Sequence, residues 1–200
     1  MTPAPVSLSD QELVRLVHAG SWAPFEELVR RHEGRLLRFL RRRVGNAHDA
    51  EDLLQETFAR ALGRIELYRP QWPFGSWLFS IAHRLAINHF RRARPREPLA
   101  AGAAVSRRED DPSEAAERRE EHDRLWATAR RALTDDQYVV LWLRYVEEMP
   151  TAEIARVVGK TVTHVKVILH RARGRLIRAT RTAEVPAAAS EALRRAEEGA

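Results

Sequence analysis

Arginine is the residue that gives this chain its chemistry. Of 34 cationic side chains only Lys160 and Lys166 are lysine; the other 32 are arginine. A guanidinium is a planar fork of donors that can hold a phosphate with two hydrogen bonds. One run is Arg171, Arg173, Arg175, Arg178 and Arg181, with no acid among them. Such a run repels itself unless an anion compensates. It begins within Thr151 to Leu176, a segment spaced as two short helices around a turn. Ile154, Ala155 and Val158 give the first helix an apolar face, Gly159 can take the left-handed conformation that ends it, and Thr161 can cap the next. In that second helix Val162, Val165, Leu169, Ala172 and Leu176 form an inward stripe at ~100° per residue. Thr163, His164, Val167, His170, Arg171 and Gly174 then face outward, with Lys166 and Arg173 on one flank. Two helices, a glycine turn and a basic outer face make the helix-turn-helix plan, in which the second helix enters the major groove. An ordinary helix pair with a solvated basic face shares this pattern; the acid-free arginine run favours the nucleic-acid reading.

The first half of the chain carries opposite chemistry on one helix. In Asp49 to Leu62, Ala50, Leu54, Thr57, Phe58 and Ala61 share one side, and Asp52, Gln55, Glu56 and Ala59 the other. An acidic face repels phosphates and suits a basic protein partner, unless it is merely solvated. Asp49, Glu51, Asp52 and Glu56 could also be read as Mg²⁺ ligands for nucleic-acid cleavage. Asp52 and Glu56 face away from Glu51, and no base or nucleophile lies nearby, so no metal or catalytic residue is assigned. Downstream, Tyr68-Arg69-Pro70-Gln71-Trp72-Pro73 is a loop with aromatics beside arginine, the combination that holds unstacked bases. Trp72 belongs to that reading, whereas Trp77 reads as core. In the next helix Phe74, Leu78, Ile81, Leu85 and Asn88 form a stripe, and His83, Arg84, Arg91, Arg92, Arg94 and Arg96 make its second half basic.

These residues must be positioned by helices. Capping-box spacing between Ser9 and Glu12 opens a helix over Asp10–His18. Phe25, Leu28, Val29, Leu36, Leu37 and Leu40 continue a long second one, followed by Asp49–Leu62 and Phe74 to about Arg92. Glu114–Leu133, Asp135–Val146, Thr151–Val158 and Val162–Ala179 complete the set, and no alternating hairpin pattern appears. The chain therefore reads as all-α. Residues 1–95 carry net +5, 96–124 net −3, 125–183 net +6 and 184–200 net −2. The acidic stretch from Pro95 to Ser113 holds three prolines, a glycine and few large apolar residues, so it reads as a flexible linker between two small helical domains. The expected spans are 1–94, a linker 95–113, 114–183 and a tail 184–200. With no cysteine, disulfide scaffolds, Cys-based zinc or iron–sulfur sites and thiol nucleophiles are excluded. No apolar run approaches the ~18 residues of a membrane span, and Met1 to Asp10 lacks a signal-peptide pattern, so a cytoplasmic location is expected.

Asp49-Ala-Glu-Asp-Leu-Leu-Gln-Glu-Thr-Phe, followed by Phe74-Gly-Ser-Trp-Leu-Phe-Ser-Ile-Ala-His-Arg-Leu-Ala-Ile-Asn, resembles region 2 of the bacterial extracytoplasmic-function (ECF) sigma factors of the sigma-70 family. Leu133-Thr-Asp-Asp-Gln to Leu169-His-Arg-Ala-Arg resembles their region 4. The resemblance covers about residues 8–94 and 114–178. It implies a dissociable, non-enzymatic subunit of RNA polymerase that needs no cofactor. Region 2 would dock on the clamp helices of the largest core subunit through Asp52, Gln55 and Glu56. The loop over Arg64–Trp72 and the basic helix after it would capture an unpaired base of the −10 promoter element, through Tyr68, Arg69, Trp72, His83, Arg84, Asn88, Arg91 and Arg92. Region 4 would pack on the polymerase flap and read the −35 element through Thr161, Thr163, His164, Lys166, Val167, His170, Arg171 and Arg173. The family usually answers to an anti-sigma factor. One departure stands out: where the family commonly has Ser-x-Gly-Thr-Val-Lys-Ser-Arg-Leu-His-Arg-Ala-Arg, this chain has Thr161-Val-Thr-His-Val-Lys-Val-Ile-Leu-His-Arg-Ala-Arg. Val167, pointing outward, suits either a thymine methyl group or a protein contact. The alternative is a stand-alone helix-turn-helix regulator.

Overall fold

The computed structural model describes residues 8–93 and 114–182. The expected linker and tail lie outside the described residues, as do Arg94, Arg96 and the side chain of Arg92. Among the described residues eight α-helices follow one another: α1 Asp10–His18, α2 Ala23–Val44, α3 Ala47–Leu62, α4 Phe74–Ala93, α5 Glu114–Ala132, α6 Asp135–Tyr145, α7 Thr151–Val158 and α8 Val162–Thr182. A single 3-10 turn, Ile65–Leu67, sits between α3 and α4, and no strand occurs among the described residues.

Local chemistry sets the boundaries. Ser9 caps α1 as its spacing predicts: its hydroxyl accepts from the Glu12 N–H, and the Glu12 carboxylate accepts from the Ser9 N–H at 2.7 Å. Gly45, at φ +84°, closes α2, and Asn46 caps α3 by accepting from the Asp49 N–H at 2.8 Å. That cap starts α3 at Ala47, two residues before the expected Asp49. Thr134 and Gln137 form a second capping box at the start of α6. α8 runs to Thr182, three residues past its expected end, and Thr180 is buried there.

α1–α4 make one compact unit, and α5, α6, α8 and the first residues of α7 belong to a second. In the first, α2 packs against α1, α3 and α4. Its core holds Leu28, Leu36, Phe39, Leu40, Phe74, Leu78 and Phe79, with Phe39 edge-on to Phe79 at 5.3 Å and Phe25 to Phe58 at 6.4 Å. In the second, α8 packs on α5 and α6 over Tyr138, Val139, Leu143, Ile154 and Leu176. Trp126 fills the gap between α5 and α6, 4.8 Å from Trp142 and 5.5 Å from Tyr138.

Between α7 and α8 the chain turns as the glycine requires. Gly159 takes φ +67°, the Lys160 N–H donates to the Ala155 carbonyl at 2.8 Å, and Thr161 Oγ1 accepts from the His164 N–H at 3.2 Å. A Cβ on Gly159 meets nothing within 4 Å, so the cost of substitution is the left-handed backbone alone. Gly159→Ala is expected to lower stability by about 1–2 kcal/mol, read as a shift in urea midpoint followed by the fluorescence of Trp126 and Trp142. An unchanged midpoint would refute this account of the turn.

Candidate nucleic-acid and polymerase interface

α8 brings most of the expected reader residues onto one surface. Thr161, Thr163, His164, Lys166, Val167, His170 and Arg171 are all exposed, while Val165, Leu169, Ala172 and Leu176 are buried as the stripe predicts. Two residues depart from expectation. Val162, placed inward by its spacing, is 42% exposed, because it lies in the first turn, beyond the reach of the core. Arg173, placed on the DNA flank, is buried: its Nε donates to the Tyr145 hydroxyl at 2.6 Å and its guanidinium lies 5.7 Å from that ring. Arg175 also turns back, donating to Gln137 Oε1 at 3.1 Å. Part of the arginine run is thus held by neutral acceptors on α6 rather than left for an external anion. Arg171, Arg175, Arg178 and Arg181 are exposed, and no Asp or Glu occurs in α8.

α3 separates its faces cleanly. Ala50, Leu53, Thr57, Phe58 and Ala61 are buried, with the Thr57 hydroxyl donating to the Leu53 carbonyl at 2.6 Å. Leu53 rather than Leu54 takes the buried position; Leu54 is half-buried. Asp52, Gln55, Glu56 and Ala59 are exposed. Glu56 pairs with Arg60 one turn on, and Asp52 lies 3.6 Å from His48 one turn back. Such exposed pairs are each worth little and are screened by salt, so they leave both carboxylates open to a competing partner.

The loop after α3 is built rather than slack. The His18 ring Nε2 lies 3.2 Å from the Ile65 carbonyl, Gln11 Nε2 donates to the Pro70 carbonyl at 2.8 Å, and the Tyr68 hydroxyl donates to the Trp72 carbonyl at 2.7 Å. Tyr68 is thereby a fastening of the loop and not a stacking surface: it is buried, edge-on to Phe74 at 5.3 Å, and burial raises its pKa. His83 is also buried, on the face of α4 that carries Phe79, Ala82 and Ala86, and it leaves the expected nucleic-acid surface. The buried face of α4 is wider than its apolar stripe, since that helix packs against both α2 and α3. Arg69, Arg84 and Arg91 are exposed, Asn88 and Trp72 are partly so, and Trp77 tilts against Tyr68 and Phe74. Arg84 reaches back to the Ser80 carbonyl at 3.1 Å.

A cleft of about 410 Å³ opens beside this loop, with Tyr68, Pro70, Trp72, Pro73 and Phe74 on its apolar side and Ser9, Asp10, Gln11 and Gln71 on its polar side. The sequence reading missed the contribution of α1; no local signal places residues 9–11 beside residues 68–74. Asp10 is fixed there by His32 Nε2 at 2.7 Å and Arg31 Nη1 at 3.1 Å, and the hydrogen bond from His32 holds its carboxyl below the ordinary carboxylate range. Among the described residues, no group of three or more His, Cys, Asp or Glu is placed to hold a metal ion, and no helix is long and apolar enough to cross a membrane.

Residues 28–96 match the Sigma-70 region 2 family and residues 125–176 match Sigma-70 region 4. The first covers the α3 face and the loop, the second the helix-turn-helix. The chain is 31% identical to the RNA polymerase sigma factor YlaC of Bacillus subtilis over 155 residues, which span 74% of this chain and 87% of that protein. It belongs to the ECF sigma factors of the sigma-70 family. The ECF RNA polymerase sigma factor BldN of Streptomyces coelicolor is 34% identical over 169 residues, 80% of this chain and 62% of that longer protein. The structure of CnrH in complex with the cytosolic domain of CnrY is similar at a TM-score of 0.63 and 27% identity, covering 84% of this chain and 94% of CnrH. Sigma factors are non-enzymatic initiation factors, and this one directs promoter-specific transcription by core RNA polymerase. A stand-alone regulator accounts for the region 4 match alone and is not favoured.

The pairing of Asp10 carries a pH signature. Its folded pKa lies below the unfolded value, so its contribution to stability is present above the ordinary carboxylate range and is lost as pH falls through the folded value. The stability gap between the native protein and Asp10→Asn, measured by urea unfolding, is therefore expected to be full near about pH 6 and to close towards about pH 3. A gap that does not change with pH would contradict the ion-paired arrangement.

Proposed function

We propose that the sigma factor grips its two kinds of partner with separate helices. The exposed carboxylate face of α3, Asp52, Gln55 and Glu56, docks on the polymerase clamp helices. The cleft beside residues 64–74, with Trp72, Arg69, the exposed Arg84 and Arg91 and the half-buried Asn88 of α4, takes an unpaired base and adjoining backbone of the −10 element. The outward face of α8, from Thr161 to Arg171, reads the −35 element. Residues 1–94 and 114–183 are the corresponding domains, joined by 95–113. The observation that carries this reading is the partition of charge: exposed acids on α3 and none anywhere along α8. An anti-sigma partner belongs to the proposal, supported by the complex in which CnrH is seen. The protein acts in the cytoplasm, where polymerase and promoter are, and makes or breaks no bond itself.

The energetics suit the task. Extracting a base from its stack costs a few kcal/mol, and stacking it on an aromatic ring returns about 1–3 kcal/mol. An acidic patch facing a basic protein surface adds orientation and association rate, and repels the phosphates that would compete for it.

Two outcomes test the assignments. Asp52→Lys with Glu56→Lys should weaken binding of the full chain to core polymerase by about tenfold or more, measured by titration, with an unchanged unfolding midpoint because both side chains are exposed. Retained affinity would remove α3 as the docking face. Trp72→Ala should slow promoter opening on a cognate duplex by about 1–3 kcal/mol of lost stacking and leave binding to core polymerase intact. A defect on the duplex that disappears on a template with its −10 region already unpaired would support the stacking role; a variant slower on both by the same factor would count against it.

A further inference from the structure

The outer face of α8 has one feature that cations do not explain. Val167 is 40% exposed in the middle of that face, with Thr163 one turn before it, His170 just beyond, and Lys166 and Arg171 on either side, all exposed. Cations attract the phosphate backbone without regard to sequence. A valine has no hydrogen bond to give, so it cannot read the N7, O6, N6 or N4 edges of the major groove. The apolar group on offer there is the C5-methyl of thymine. Val167 is β-branched on a helix, with χ1 held largely to one rotamer, so its methyl groups are already set in place when DNA arrives. Val162 gives the internal comparison. It is as exposed, at 42%, but lies five residues away, about 140° around the axis at ~100° per residue, off the face that carries Thr163, Val167 and His170.

Resting on the reading that α8 enters the major groove, we propose that Val167 is a specificity-determining residue that recognises the 5-methyl group of a thymine in the upstream promoter element. Protein is the other surface an exposed valine could meet. The acid-free cationic surround of Val167 favours a polyanion over the polymerase, and this choice decides the test.

The experiment uses holoenzyme assembled from the full chain and core polymerase. Duplexes with a randomised upstream segment are selected for binding, and each thymine of the recovered element is then replaced singly by deoxyuridine, which lacks only the methyl group. One replacement is expected to weaken holoenzyme binding about fourfold, the size of one buried methyl or methylene group. Val167→Ala should bring the thymine and uracil duplexes to equal affinity at that position, while Val162→Ala should retain the fourfold ratio. Recovery of no upstream sequence would refute the parent reading of α8. A selected element that tolerates uracil everywhere, or that holds no thymine, would leave that reading standing and overturn the role of Val167. Val167→Ala weakening thymine and uracil duplexes alike, with the ratio kept, would overturn it in favour of a polymerase contact.

Discussion

Carboxylates and phosphates cannot share a surface, and the arrangement of this molecule follows from that repulsion. Two like charges about 4 Å apart repel by about 1 kcal/mol in water and several times that at a partly desolvated interface. A protein that must hold both a polypeptide and DNA therefore separates them. Here Asp52 and Glu56 stand exposed on α3, while α8 has no acid in its 21 residues. Two acids near the proposed nucleic-acid surfaces are paired with neighbours: Asp10 with His32 and Arg31, and Asp136 with Lys160 at 3.0 Å.

The separation works only if each surface is rigid, and the means differ in the two units. In the first, a short loop is fastened from several sides, by His18 at Ile65, Gln11 at Pro70 and Tyr68 at Trp72. These bonds fix the walls of the cleft in advance, so a base taken there as proposed would cost less ordering entropy. In the second, α8 is tied to α6 by the buried Arg173 on Tyr145 and by the exposed Arg175 on Gln137. Arg173, expected as a DNA contact, instead helps to orient the helix whose outer face is proposed to carry the contacts.

Much of this was legible in the residues. Ser9 with Glu12, Gly159 and Thr161 are local signals, and the structure uses each as its chemistry suggests. The exposed face of α3 could be read because an isolated helical stripe with one packed side leaves the other to solvent. The misplacements share one cause. Tyr68, His83 and Arg173 are amphipathic side chains whose polar atoms can be satisfied outside or inside, and spacing alone does not say which. Val162 failed for the converse reason: apolar periodicity continues past the point where a partner helix is there to cover it.

The sequence by itself determined the helical segments, their caps, the two-domain order and the sign of charge on each face, because these depend on neighbours within a turn or two. Only the tertiary structure decided which cations and aromatics remain at the surface. That depends on acceptors such as the Tyr145 hydroxyl, 28 residues from Arg173, and on helices such as α1, whose Gln11 meets Pro70 across 59 residues. Contacts of such separation follow from how helices pack, and no local pattern of residue types encodes them.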